Sequence, residues 1–211
     1  MALMLYLTGT AHRRLHDVPG IGMMLSPASS KAVPAGMPWA ADNGCFGDRY
    51  VGDDAFLTWL DGRDRAGCLF AVAPDVVGSA FFTWLRSESM LPRIRALGYR
   101  VALAAQNGWQ PDPIEWDAFD AVLMGGDDAF KLGDEGRQAA ADALAHGKWL
   151  HMGRVNSWQR LAYAAGLGCE SADGTTIKYR PSRYVPEIRR WMARINSPML
   201  DLGDCDAPNC L

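Results

Sequence analysis

No stretch of this 211-residue chain approaches the roughly 20 consecutive apolar residues that a membrane span needs, so no membrane partner is expected. The start lacks the basic-then-apolar order of a signal peptide, because apolar Met1 to Leu7 comes first and reads as a strand. A cytoplasmic protein is the expectation. Cysteines are few and scattered. Cys45, Cys68, Cys169, Cys205 and Cys210 form no CxxC pair and no Cys/His set at zinc spacing. That argues against a disulfide scaffold and gives no reason to expect a metal site or a cofactor. Cys205 and Cys210 read as free thiols in a loose tail. A basic surplus is missing too: the net charge of −3 argues against a general nucleic-acid coat.

What is present is a regular alternation. Short apolar runs at Leu3 to Thr8, Ile21 to Leu25, Trp39 to Ala41, Leu69 to Ala73, Arg100 to Ala105, Ala121 to Met124, Lys148 to Met152 and Cys169 to Ala172 read as strands. Helical patterns fall between them at Asp53 to Arg63, Ser79 to Leu97, Asp134 to His146 and from Trp158. Pro111 to Trp116 reads as a helical turn, and Val185 to Ile195 as a last helix. Phe56, Leu57 and Leu60 share one face of the first helix, with Asp53 or Asp54 as its cap. Asn156 or Ser157 is placed to cap the helix bearing Trp158, Leu161, Ala162 and Ala165. The long loop from Ser26 to Pro38 has the length of a functional segment. Strand and helix in turn, with short links, predict a parallel α/β fold.

Each strand exit from Asp42 onward is polar or glycine-rich: Asp42, Asp75, Gln106, Gly125-Gly126, His151-Met152-Gly153 and Asp173-Gly174, where the last carboxylate is expected to leave the sheet on a tight turn. A closed barrel would ring all of them around one mouth, whereas an open sheet would spread them along an edge. The expectation is therefore a compact (β/α)8 barrel over residues 1–200 with some outer helices abbreviated, then a polar tail over 201–211. Singly, each residue has an ordinary use. Aspartate before glycine forms turns, Gly-Gly makes tight bends, and a lone histidine is commonly a satisfied core side chain. Their shared topological position gives them weight. Asp42 and Asp173 could supply the two carboxylates of glycosyl chemistry, one attacking the anomeric carbon and one moving a proton. Asp75, Gln106 and the glycine amides could read the edge of a flat heterocycle. Directly after Asp173, Lys178, Arg180, Arg183, Arg189, Arg190 and Arg194 face one acid, Glu187, a run that suits a phosphate backbone as well as an ordinary solvated helix face.

The order Asp-Asn-Gly-Cys-Phe at 42 to 46, Pro-Asp at 74 to 75, Gln-Asn-Gly at 106 to 108, Gly-Gly at 125 to 126, His-Met-Gly-Arg-Val-Asn-Ser at 151 to 157 and Ser-Ala-Asp-Gly-Thr at 171 to 175 resembles the tRNA-guanine transglycosylase superfamily. It is most similar to the small DNA-modifying, DpdA-like branch of phages and bacterial modification islands. The likeness spans about residues 38 to 176. It implies a TIM-type barrel that exchanges guanine in a nucleic acid for a 7-deazaguanine base such as preQ0, in a bacterial or host cytoplasm. Asp173 would be the nucleophile on C1′ and Asp42 the acid/base. Asp75 would bind the N1 and 2-amino edge, Gln106 the O6 side, and Gly126 would offer a backbone N–H beside Gly125. Asn43, Phe46, His151, Met152, Gly153 and Asn156 would line the pocket. The zinc motif of the tRNA enzymes is absent, and Asn43 and Cys45 replace a serine and a glycine. DNA is therefore the expected polymer and tRNA the runner-up, with Lys178, Arg180, Arg183, Arg189 and Arg190 on its backbone. The resemblance allows a homodimer or partner modification proteins, with Trp149, Trp158 and Trp191 in core or interface. Two other readings use the same residues: an N-glycosidic hydrolase with water as acceptor, and a non-catalytic nucleic-acid-binding barrel.

Overall fold

The computed structural model describes residues 3–10, 12–29, 31–110 and 114–197; the tail with Cys205 and Cys210 lies outside them. Eight parallel strands close a barrel in chain order: β1 (Leu5–Thr8), β2 (Ile21–Leu25), β3 (Trp39–Ala41), β4 (Cys68–Val72), β5 (Val101–Ala105), β6 (Ala121–Met124), β7 (Trp149–Met152) and β8 (Ser171–Gly174). Closure is made where β8 pairs β1, with Asp173 opposite Leu7. The eight-stranded barrel expected from the alternation is the fold observed.

Side chains alternate in and out along each strand. The inward set is small, with Ala40, Ala102, Ala104 and Ala121 packed around Leu7, Phe70 and Val72. Four alanines on three strands leave the barrel interior open enough for a cavity. Outward residues such as Met23, Trp39, Val101, Val122 and Leu150 join the larger core beneath the helices.

The outer layer is incomplete, as expected. Among the described residues, only a 3₁₀ turn (Arg13–Leu15) separates β1 from β2, and no helix separates β2 from β3. The flank is covered by the last helix, α8 (Pro181–Ile195). Its Trp191 meets Tyr6 edge-on at 6.2 Å, and just beyond it Asn196 makes a pair of bonds of 2.8 and 3.1 Å to the Met4 backbone. No helix among the described residues is long and apolar enough to cross a membrane.

Several local expectations need correction. Helix α1 (Asp53–Asp61) is not capped by an aspartate; Gly52, at φ 92°, takes the N-cap position. The single long helix from Ser79 to Leu97 is two, α2 (Ala80–Glu88) and α3 (Met90–Ala96). Pro92 explains the break: it lacks an N–H for the Glu88 carbonyl and its ring collides there, but it fits the first turn of a new helix. A short helix α4 (Asp128–Leu132), not anticipated, precedes α5 (Asp134–Ala145). In α6 (Trp158–Gly166), Ser157, one of the two expected caps, takes the N-cap position, while Leu161 and Ala164 are the buried pair and Ala165 is only partly buried. The turn near Trp116 is a 3₁₀ helix over Trp116–Ala118, while residues 111–113 lie outside the described set. Helix α7 (Thr176–Tyr179) joins β8 to α8.

Asp173 does not leave the sheet on a turn; it and Gly174 are the last residues of β8 itself. Gly174 sits under Tyr6, whose hydroxyl donates to the Val155 carbonyl at 2.7 Å. A Cβ on Gly174 would run into that hydroxyl and stand 2.5 Å from the Val155 oxygen. Gly174→Ala should therefore cost about 1–3 kcal/mol by overpacking, read as a lower urea midpoint. Gly166→Ala meets open space and should cost nothing. Equal midpoints for the two variants would contradict this packing.

Candidate active site

The strand phase aims the site. On β7, Trp149 and His151 share the inward phase, which Gly153 continues just past the strand, and on β8 Ser171 and Asp173 do. His151 pairs with Ser171 in register, so His151 and Asp173 meet inside the barrel one layer apart. The His151 Nε2 lies 3.1 Å from Asp173 Oδ1, and its Nδ1 lies 2.8 Å from Ser171 Oγ. Trp149 Nε1, a donor only, is 2.8 Å from the same Ser171 oxygen. In the neutral ring these partners fix one tautomer. Trp149 donates to Ser171, Ser171 donates to Nδ1, and the Nε2 proton points at the carboxylate. His151 is fully buried and stands beneath the cavity, packed edge-on against Phe70 at 5.3 Å.

Above it opens a cavity of about 400 Å³ at the C-terminal end of the barrel, lined among others by Asp42, Asn43, Phe46, Asp75, Gln106, Gly125, Gly153, Asn156, Asp173 and Lys178. Asp75 is gripped from both sides. Asn43 Nδ2 donates to its Oδ1 at 2.8 Å and Gln106 Nε2 to its Oδ2 at 2.7 Å. Asn43 also donates to the Ala73 carbonyl at 2.7 Å and accepts from the Cys45 amide at 2.7 Å. Its amide is thus occupied within the protein, and its work is to position Asp75. Burial raises the Asp75 carboxyl above its ordinary range, against the pull of these donors. Asp42 is pushed up to about 6, first by burial and then by the nearby Asp173 and Asp75 charges, despite amide N–H donors from Gly44 and Asn43.

Other expected site residues are displaced. Met152 has the opposite strand phase from His151 and packs outward in the core. Gly126 does not offer a free amide. Its N–H and that of Gly125 both point to the Ala105 carbonyl, at 3.1 and 2.9 Å. Asn156 lines the cavity and ties two exits together by accepting the Thr175 N–H at 2.9 Å. The basic run is not one face. Lys178 lines the cavity, but α8 carries Arg189 and Arg190 to a separate cleft beside Leu3, Asp17 and Pro19, at the opposite end of the barrel. A 15-residue helix spans about 22 Å, too far for its charges to gather at one mouth. There Arg189 pairs with Asp17 at 2.6 Å, and Arg183 pairs with Glu187 at 3.2 Å. The tryptophans serve packing: Trp149 fills the barrel below His151, and Trp158 lies under the Arg194 guanidinium at 4.3 Å.

Two further residues at the site were given no role from the sequence. Arg154, at φ 61°, bonds the carbonyls of Gly125 and Gly126 and lies 4.4 Å over the Phe46 ring. Lys131 on α4 is 2% exposed and donates to the Gly153 carbonyl at 3.0 Å; burial, then the Arg154 charge, lower its ammonium to about 8. Together they brace the β6 and β7 exits against Asp173. Lys131 carries no sequence signal, since a single Lys close to Asp127 and Asp128 looks like a surface residue, whereas Arg154 lies within the 151–157 motif. Among the described residues no group of three or more His, Cys, Asp or Glu side chains is suited to a metal ion.

No family model matches the chain, and neither does any curated protein. Among solved structures it resembles the native KDPGal structure, at 16% identity and TM-score 0.51 over 92% of both chains. It also resembles a cube-shaped, highly porous protein cage designed by fusing symmetric oligomeric domains, at 15% identity and TM-score 0.52, over 92% of this chain and 70% of the other. At such identities the likeness carries the barrel fold alone.

Proposed function

We propose that this chain is a transglycosylase that exchanges guanine in DNA for a 7-deazaguanine base through a covalent glycosyl-aspartate. The observation that carries this is one cavity holding Asp42, Asp75 and Asp173, with Asp42 raised to about 6 by burial and by Asp173. A carboxyl near that value can both give and take a proton close to neutral pH. The cavity also has the size of a small-ligand site. The order of the strand-exit motifs, from Asp-Asn-Gly-Cys-Phe to Ser-Ala-Asp-Gly-Thr, supports the family assignment.

The target guanosine is extruded, since its C1′ is out of reach within a stack. Asp75 accepts from the N1 and 2-amino donors of the base. Gln106 gives one amide N–H to Asp75 and keeps its second for O6. An Asp173 oxygen attacks C1′; the C1′–N9 bond breaks, its electron pair passes to the base, and Asp42 protonates the leaving guanine. The incoming 7-deazaguanine gives its N9 proton to Asp42. Its N9 attacks C1′, and the C1′–O bond returns its pair to Asp173. Two inversions leave the configuration retained. His151 holds Asp173 and stays out of proton transfer.

Incubation of the protein with DNA or tRNA and preQ0, digestion to nucleosides and mass spectrometry test this reading. The deazaguanine nucleoside in DNA is expected. Its appearance in tRNA alone would move the substrate to RNA. Abasic sites without exchange would mean hydrolysis by the same acids, and neither product would overturn the catalytic reading.

A further inference from the structure

We propose that the rim of this cavity is a docking surface for single-stranded DNA, with bases on exposed aromatic rings and phosphates on the cations between them. The inference rests on the DNA reading above and adds to it the strand state of the substrate.

Four aromatic rings stand in solvent at the mouth: Phe46 (58% exposed), Phe81 (64%), Phe82 (57%) and Tyr179 (74%). Phe46 and Tyr179 line the cavity directly. Phe81 and Phe82 lie on the first turn of α2, which is held at the β5 exit by the Ala80 N–H donating to Asn107 O at 2.8 Å. Val77, 49% exposed, lines the cavity and connects the pair to it. Cations interleave with these rings. Arg154 covers Phe46, Lys178 lies 5.9 Å from the Tyr179 ring, and Arg49 lines the cavity.

Exposed rings with cations between them match the two parts of an unpaired strand, since each free base has a face to stack and each link a phosphate to neutralise. A duplex offers its phosphates but has no free base faces. The floor points the same way: three carboxylates repel phosphate, so the backbone must stay on the rim while one base enters. Extrusion also costs least from a strand that is already unpaired. The platform is set beforehand. Phe46 and Arg154 reach each other from the exits of β3 and β7, on opposite sides of the barrel. Asp48 (φ 56°) and Arg154 (φ 61°), the non-glycine residues with positive φ among those described, lie in these two loops.

The test is fluorescence anisotropy with a labelled oligonucleotide of about 12 nucleotides containing one guanine, presented single-stranded, as a duplex, and as RNA of the same sequence. No incoming base is added, and every protein measured carries Asp173→Asn, which forms no covalent adduct, so exchange chemistry does not enter the readout. With the rim otherwise unchanged, this protein should bind the single DNA strand at least about tenfold tighter than the duplex. Phe81→Ala/Phe82→Ala and Tyr179→Ala should each weaken binding about tenfold with unchanged melting temperatures. If the double variant melts early, the Tyr179 position, 74% exposed, carries the test. Equal or tighter duplex binding, tighter RNA binding, or aromatic variants that bind like Asp173→Asn alone would overturn the proposal. The last result would leave the apolar rim as a protein contact. Exchange on duplex DNA with no single-strand preference would sink this inference alone.

Discussion

Asp173→Asn is expected to lower base exchange by on the order of 10³–10⁵-fold, as loss of a covalent nucleophile does. The amide cannot attack C1′, yet it is nearly the same size and can still accept from His151 Nε2, so fold and DNA binding should persist. The same change withdraws a negative charge from Asp42, one of the causes that raise its carboxyl, so that carboxyl should titrate lower in the variant. Exchange of labelled guanine into DNA, measured beside binding, separates the outcomes. Wild-type exchange would end the assignment of Asp173, whereas equal loss of binding and exchange would make it a structural residue.

Asp42→Asn should move activity and stability in opposite directions. Removing a proton-transferring group costs about 10²–10⁴-fold in rate. In the wild type, release of guanine needs Asp42 protonated, so that half-reaction should fall about tenfold per pH unit above 6, and the variant should lose this limb. Stability follows from linkage. The folded carboxyl sits at about 6 against an ordinary 3.8, so between those values the folded chain holds a proton that the unfolded chain has released. Its contribution is therefore fully present below about pH 4 and is lost as pH rises through 6. Asparagine carries no such loss. The variant should be more stable than the wild type at pH 7 by on the order of 1–3 kcal/mol, or roughly 2–4 °C of melting temperature per kcal/mol, with the gap closing by pH 4. A variant that is less stable at pH 7 would mean that the Gly44 and Asn43 amide bonds outweigh burial and repulsion.

The barrel was legible because short apolar strands alternate with helical patterns and six of the eight strand exits are polar or glycine-rich; only closure gathers those exits, with strand phase aiming alternate residues inward. The same phase put Asp42, Gln106 and Asp173 in one cavity. Met152 was misplaced because its neighbours in sequence were judged as a motif, when strand phase sends alternate members to opposite faces. The glycine amides were misread because nothing local reveals that the Ala105 carbonyl claims both. The basic run looked like one surface because charge was counted along the chain, while α8 carries it from one end of the barrel to the other. Arg154 and Lys131 depend on contacts across 20 to 30 positions of sequence, such as Lys131 to Gly153 and Arg154 to Gly125, which no local pattern announces.

Trapping the intermediate tests the two-carboxylate mechanism most directly. Wild-type protein mixed with guanine-containing DNA, without an incoming base, would be quenched in denaturant and analysed by intact mass and peptide mapping. The expected result is DNA joined covalently to the peptide bearing Asp173, with guanine released in equal amount and the adduct discharged by a 7-deazaguanine base. No adduct with the wild type, or one that persists in Asp173→Asn, would contradict the mechanism.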